Sequence, residues 1–373
     1  MSNIDNYRGC LIGGAAGDAL GYAVEFSRED QIAARYGAGG IRDYQLDDRG
    51  LAPFSDDTQM TLYTANGLLH ALTRGRLRGI LGPLRDYVSG FYVEWSRTQT
   101  EPYPLADHSA WISALPELFV PRAPGATCLS ACAVGAHGTP EEPINDSKGC
   151  GGIMRVAPAG LLAGPRGADG AAVQRLGAQL AALTHGHELG WLPAGVFAHI
   201  VSALAHGEAD SVRGAAEQAL AILPEAHPGA RRVGELQELM RLTLRLADST
   251  APDVEAIHQL GEGWVAEEAL AIALLCALRH EDDFEGTVVS AVNHSGDSDS
   301  TGAIAGNITG AHLGLAGIPR RYTERLELAD VVLALADDLF TGCPITEYRA
   351  SPDGVWEHKY LPPMDYVEWK RGR

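Results

Sequence analysis

Two acidic clusters at opposite ends of the chain place the strongest condition on its fold. Ser55-Asp56-Asp57-Thr58 lies near the start, and Gly296-Asp297-Ser298-Asp299-Ser300-Thr301 lies near the end. Each precedes a run of apolar residues at helical spacing. Each offers two carboxylates flanked by hydroxyls, the hard oxygen donors that Mg2+ or Mn2+ prefers. If one fold brings them together, four carboxylates crowd one spot, and bound cations are what would offset the repulsion. This predicts a two-metal hydrolytic site in a single domain closed by both ends of the chain. Taken singly, each cluster is also what a helix N-cap looks like, because Ser and Asp are preferred caps and acids in the first turn suit the helix dipole. The second cluster is the more unusual. A cap needs one acid, whereas here acids alternate with hydroxyls among Ser295, Gly296, Gly302, Ala303, Ala305 and Gly306, small residues that let a backbone and a ligand approach closely.

Apolar residues recur at helical spacing along most of the chain. The pattern predicts helices over 9–25, 58–73, 82–95, 109–119, 151–162, 171–183, 189–206, 211–223, 233–247, 253–260, 265–278, 284–293, 299–315 and 321–340. In the first of these, Gly9, Gly13, Ala16, Gly17 and Ala19 permit close backbone approach. Glycine weakens a helix, so their number predicts a tightly packed central helix. Residues 97–148 are rich in Pro, Gly, Ser and Asp and read as irregular, a natural place for substrate-contacting loops. No alternating strand, internal repeat or low-complexity tract is visible. The expected fold is all-α, a compact multi-helix orthogonal bundle rather than a solenoid. It spans residues 1–345. An extension, 346–373, carries Pro352, Pro362, Pro363 and several aromatics without periodicity.

The 373 residues carry a formal net charge of −19. Charge-driven binding to nucleic acid or an anionic membrane runs on surplus Lys and Arg, so both are excluded as expected partners. A phosphate-bearing ligand would need local positive potential from metal ions, helix N-termini or backbone amides. Cys10, Cys128, Cys132, Cys150, Cys276 and Cys343 form no CxxC pair and no zinc spacing, which suggests free thiols in a reducing compartment. The apolar stretch 10–17 is ended by Asp18 and is too short for a signal peptide. No transmembrane run is read, and the expected location is the cytoplasm.

Three further segments bear on chemistry. Lys148-Gly149-Cys150-Gly151-Gly152-Ile153-Met154-Arg155 sets glycines ahead of a helix, where successive backbone N–H groups could form an anion nest. It could equally be a sharp helix connection, and it matches neither a Walker A loop nor GxGxxG. Cys150 reads as a lining residue, since no basic partner is identifiable. In Thr184-His185-Gly186-His187-Glu188 the HxH spacing does not put both rings on one helical face, so a capping segment or a single ligand-contacting histidine is expected. Glu25 lies between Val24 and Phe26. In such a setting a carboxyl could have a raised pKa and act as acid or base, or be an ordinary solvated helix-end residue.

Together these segments resemble the ADP-ribosylglycohydrolase family, which includes dinitrogenase-reductase-activating glycohydrolase and the ADP-ribosyl-acceptor hydrolases. The resemblance runs through residues 8–21, 55–60, 149–158, 183–185 and 296–306 in the family's order, covering roughly residues 7–342. It implies an all-α fold with two Mg2+ (or Mn2+) ions, and hydrolysis of the bond joining C1″ of ADP-ribose to an acceptor. By motif position it implies Ser55, Asp56, Asp57, Asp297, Asp299 and Ser300 as metal ligands. It places Gly149, Cys150, Gly151, Gly152 and Met154 at the diphosphate and ribose, with His185 also touching the ligand. Glu25 matches the family's mobile acid, and Glu25, Asp57 and Asp299 are the expected catalytic residues. Family members often have Thr where this chain has Ser55 and Ser300, and both changes keep the oxygen. The implied partner is an ADP-ribosylated protein or a small ADP-ribose conjugate, with arginine the first acceptor and ADP-ribosyl-serine or O-acetyl-ADP-ribose the alternatives. A cognate ADP-ribosyltransferase is a further implied partner. An ADP-ribose-binding or toxin-blocking immunity protein with little catalysis is the competing class, and intact ligand positions favour the enzyme.

Overall fold

The computed structural model describes residues 3–162, 169–346 and 353–361. Among them the chain forms seventeen α-helices and no strand. The first eight are α1 (Ile4–Tyr22), α2 (Glu29–Tyr36), α3 (Asp56–Arg78), α4 (Leu84–Thr98), α5 (Ala126–Ala133), α6 (Ala157–Leu161), α7 (Gly170–Ala182) and α8 (Glu188–Ala205). Next come α9 (Val212–Ala226), α10 (Val233–Ala247), α11 (Asp253–Ile257), α12 (Ala266–Arg279) and α13 (Phe284–Val292). The last are α14 (Ser298–Leu313), α15 (Arg320–Glu324), α16 (Ala329–Thr341) and α17 (Gly354–Tyr360).

The bundle is organised around α1 and α14, which run antiparallel with their backbones in contact. A β-carbon added to Gly9, Gly13, Gly17 or Gly21 would lie 2.3 Å from Gly310 O, 2.3 Å from Gly306 O, 1.9 Å from Gly302 O and 2.2 Å from Ser298 O, respectively. The two rows repeat every fourth residue, the spacing that lines up one face of a helix. A side chain at any of these glycines would push the helices apart. One consequence positions the site: the N-terminus of α14 is fixed beside the C-terminal end of α1. Around this pair α8 forms the apolar centre. Its 18 residues have a mean hydropathy of 1.3, long and apolar enough for a membrane span although no such run was expected, yet 94% of them are buried inside the protein. It is therefore a core helix.

Several expected elements differ, each for a local reason. The 109–119 helix is two short 3-10 turns, Trp111–Ala114 and Pro116–Phe119, because Pro116 cannot continue a helix. The 151–162 helix is a 3-10 turn, Cys150–Gly152, followed by α6 with Pro158 in its first turn. The 321–340 helix divides into α15 and α16, with Leu328 between them in a left-handed conformation (φ 51°). The first helix ends at Tyr22, so Glu25 lies beyond it in a turn. In the extension, where no period was read, α17 packs on α3. Trp356 Nε1 donates to Thr73 Oγ1 at 2.8 Å, and His70 Nδ1 lies 2.8 Å from the Tyr360 carbonyl.

Candidate active site

Three helix ends meet at one place. Ser55 caps α3, its side-chain oxygen accepting the Asp57 amide at 3.2 Å. Asp297 caps α14, accepting the Ser300 amide at 3.3 Å. Asp299 accepts that same amide at 2.9 Å. Both clusters therefore do the capping work their composition suggested, and the fold also brings them together. The Asp299 charge raises the carboxyls of Asp56, Asp57 and Asp297, and also those of Asp18 and Glu25. Burial is the larger cause in every case. Asp56, Asp57 and Asp297 are pushed well above the usual carboxylate range, Asp18 to about 7 and Glu25 to about 10. Ser55, Asp56, Asp57, Asp297, Asp299 and Ser300 are all buried.

Asp18 is the residue that sequence reasoning missed at this site. There it served only as the end of an apolar run. In the structure it is wholly buried on α1 and tethers the start of α3. Its Oδ1 accepts the Ser55 amide at 2.8 Å, and its Oδ2 accepts the Thr58 amide at 2.9 Å together with the Thr58 hydroxyl. A carboxylate locked inside a row of glycines was the available signal, because a buried acid requires donors. Arg122 was missed as well. It ion-pairs with buried Glu327 and donates to the Phe54 carbonyl at 3.0 Å, anchoring the segment that leads into Ser55. Asp56 Oδ2 accepts the Gly125 amide at 3.1 Å.

The glycine loop borders the acids. Asp297 and Asp57 both act on the Cys150 thiol, which burial first of all pushes well above its ordinary value, so it is no ready nucleophile. The loop is not an open row of amides. The Cys150 N–H donates to Trp264 O at 3.1 Å and the Gly149 N–H to Ser147 Oγ at 3.4 Å. None of Gly149, Gly151 and Gly152 has a positive φ. What glycine supplies here is close packing: a β-carbon on Gly151 would lie 2.8 Å from Cys128 Sγ and 3.2 Å from His185 Cε1. His185 thus faces the loop, whereas His187 turns away and caps α8 by accepting the Leu189 amide at 3.1 Å. Met154 is buried in the core. Phe26, next to Glu25, is exposed and stacks on Trp264 with ring centroids 6.1 Å apart.

The donor set suits a hard cation. Every side-chain donor at the two helix starts is oxygen, and the buried Asp57 Oδ2 and Glu25 Oε2 have no hydrogen-bond partner. Among the described residues no three His, Cys, Asp or Glu side chains form a ready cage around one point. Mg2+ needs no such cage, since it keeps several waters and is held by one or two carboxylates with substrate oxygens.

Comparison with known proteins adds to this geometry. A family model described as ADP-ribosylglycohydrolase matches residues 1–347. The chain is 26% identical over 369 residues to a Danio rerio protein named ADP-ribosylhydrolase ARH3, covering 90% of this chain and 89% of that protein. It is 32% identical over 72 residues to a Pseudomonas putida protein named ADP-ribosylarginine hydrolase Tri1, covering 19% of each. A solved structure described as an ADP-ribosylglycohydrolase-related protein complex superposes with a TM-score of 0.59 at 27% identity, over 91% of this chain and 98% of the other.

Proposed function

This chain belongs to the ADP-ribosylglycohydrolase family of hydrolases, and we propose that it uses two divalent cations, Mg2+ or Mn2+, to release ADP-ribose from a modified side chain or small conjugate. The observation that carries this reading is the meeting of buried acids from α1, the turn after it, α3 and α14, two of them (Glu25 and Asp57) with an unpartnered oxygen, beside the 149–152 loop. Ser55, Asp56, Asp57, Asp297, Asp299 and Ser300 would hold the cations. Bound there, the cations would neutralise the carboxylates and polarise ribose and water oxygens.

The chain's own groups supply the rest. Water adds to C1″, the bond to the acceptor breaks, and the acceptor leaves with a proton. Asp57 Oδ2 and Glu25 Oε2 are the oxygens free to take or give protons. Positive charge developing on the ribose is spread against the surrounding carboxylates. The diphosphate would lie along the 149–152 loop, where His185 packs against Gly149 and Gly151.

Arginine, the first acceptor that the resemblance implies, is named in the Pseudomonas putida match, which covers 19% of this chain, so the test runs three acceptors in parallel. ADP-ribose release is measured from arginine-linked, serine-linked and O-acetyl-ADP-ribose at saturating Mg2+. Turnover of one class far above the others assigns the acceptor. No release from any of them, with Mg2+ or with Mn2+, would refute the proposed reaction.

A further inference from the structure

Arg155 is wholly buried, and among the described residues no carboxylate pairs with it. Its guanidinium lies 4.2 Å from the centroid of the Tyr92 ring. Nη1 donates to Met60 Sδ at 3.4 Å and to Cys128 Sγ at 3.3 Å, and Nε has no partner. Nη2 reaches Leu180 O at 3.5 Å and makes one short bond, to Thr184 Oγ1 at 2.6 Å. That hydroxyl lies 2.8 Å from His185 Nδ1. Thr184 and His185 are buried too.

Donor rules fix the direction of this chain. A guanidinium only donates, so the Arg155 bond occupies a lone pair of Thr184 Oγ1 and leaves the hydroxyl hydrogen free. The remaining neighbours of that oxygen are His185 Nδ1, at 2.8 Å, and the Cys128 thiol, which the Thr184 hydroxyl also reaches. If Nδ1 also carried hydrogen, the buried Thr184 O–H would be left with only the Cys128 sulfur, a weak acceptor. The hydroxyl therefore donates to Nδ1, and in a neutral ring the proton then sits on Nε2. Nε2 has no hydrogen-bond partner among the described residues and faces the glycine loop, 3.3 Å from where a β-carbon on Gly149 would lie and 3.5 Å from one on Gly151.

We infer that Arg155 and Thr184 are positioning residues that lock His185 in the tautomer presenting Nε2–H, as an uncharged donor, to a ligand oxygen at the 149–152 loop. The identity of that ligand as an ADP-ribose conjugate rests on the proposed function, whereas the relay stands on the protein alone. It also gives the buried cation a task. Arg155 orients a donor at the ligand without itself entering the site.

The test is a long-range 1H–15N spectrum of protein labelled with [15N]histidine, with His185→Gln used to assign the ring among the 13 histidines. The expected wild-type ring has Nδ1 unprotonated and Nε2 protonated, and Thr184→Ser keeps that pattern. Thr184→Val removes the donor to Nδ1. It should mix the tautomers and weaken ADP-ribose binding, read by calorimetry, about tenfold, while metal-dependent stabilisation stays as in the wild type. A wild-type ring protonated on Nδ1 overturns the inference. So does a Thr184→Val protein with unchanged tautomer and unchanged affinity. If Thr184→Val does not fold, the wild-type and Thr184→Ser spectra decide alone. A wild type that binds no ADP-ribose overturns the proposed function and the ligand named here, and the spectrum still tests the relay separately.

Discussion

Asp18 Oδ2 accepts the backbone amide of Thr58 at 2.9 Å, joining two residues 40 positions apart. Through this bond the glycine-rich helix α1 sets where α3 begins, and hence where Asp56 and Asp57 sit. Because α1 also fixes the start of α14 by backbone contact, one helix positions both acidic clusters.

Replacing Asp18 by Asn tests that link. The amide keeps one acceptor oxygen but turns an NH2 group toward donors from Ser55 and Thr58. At about pH 8, above the value of about 7 to which the Asp18 carboxyl is raised, the variant should lose about 1–3 kcal/mol of stability, read by urea unfolding. A variant as stable as the wild type would show that α3 is placed by other contacts.

A pair of alanine substitutions separates close approach from helix propensity. Gly17→Ala would set a β-carbon 1.9 Å from the Gly302 carbonyl oxygen, against backbone that cannot rotate aside. It should cost more than the roughly 1–3 kcal/mol of ordinary overpacking. Gly90→Ala, on the exposed face of α4 with nothing within 4 Å, should instead add about 0.5–1 kcal/mol. Thermal unfolding of both variants reads the contrast. Equal shifts would contradict the backbone-contact account.

The same comparison shows what a single sequence carries. The long helices α3, α8, α9, α10, α12 and α14 declare themselves by apolar spacing, and the acidic clusters by their repeated carboxylate–hydroxyl pattern. The glycines of α1 announce a close neighbour, but that this neighbour is α14, some 300 residues away, is a tertiary fact that no local period contains. The short helix α2 was passed over because Ile32 is its only buried residue, too little for a stripe. Asp18 was passed over because its donors come from Ser55 and Thr58, so its role exists only once α1 and α3 are packed. The glycine loop was read as either an anion nest or a sharp helix connection, and the structure engages two of its amides because Trp264 O and Ser147 Oγ fold back onto it.

Removing one carboxylate should separate catalysis from folding. Asp297→Asn or Asp299→Asn keeps the side-chain shape and relieves repulsion among the remaining acids. Hydrolysis should fall by orders of magnitude, while the melting temperature without metal holds or rises. Unfolding well below the wild type would mean that these residues are helix caps alone.

Proton and metal binding should compete. An acid raised in the fold holds its proton more tightly there than in the unfolded chain, where its value is near 4. In the chain by itself this stability is complete below about pH 4. It is lost as pH rises through about 7 for Asp18 and about 10 for Glu25. The ligand carboxyls Asp56, Asp57 and Asp297 are raised by burial in the same way, and cations must displace their protons, so Mg2+ should raise the melting temperature more at about pH 8.5 than at about pH 6. Fluorimetric melting with and without Mg2+ at both values measures this. A larger shift at the lower pH would have the wrong sign for this site.

The most direct measurement is anomalous diffraction from crystals grown with Mn2+. The account predicts two Mn2+ peaks, both bounded by Asp56 and Asp57 on one side and by Asp297 and Asp299 on the other. Absence of ordered Mn2+ between the two helix starts at saturating concentration, or its binding elsewhere in the bundle, would contradict the claim that the clusters form one cation site.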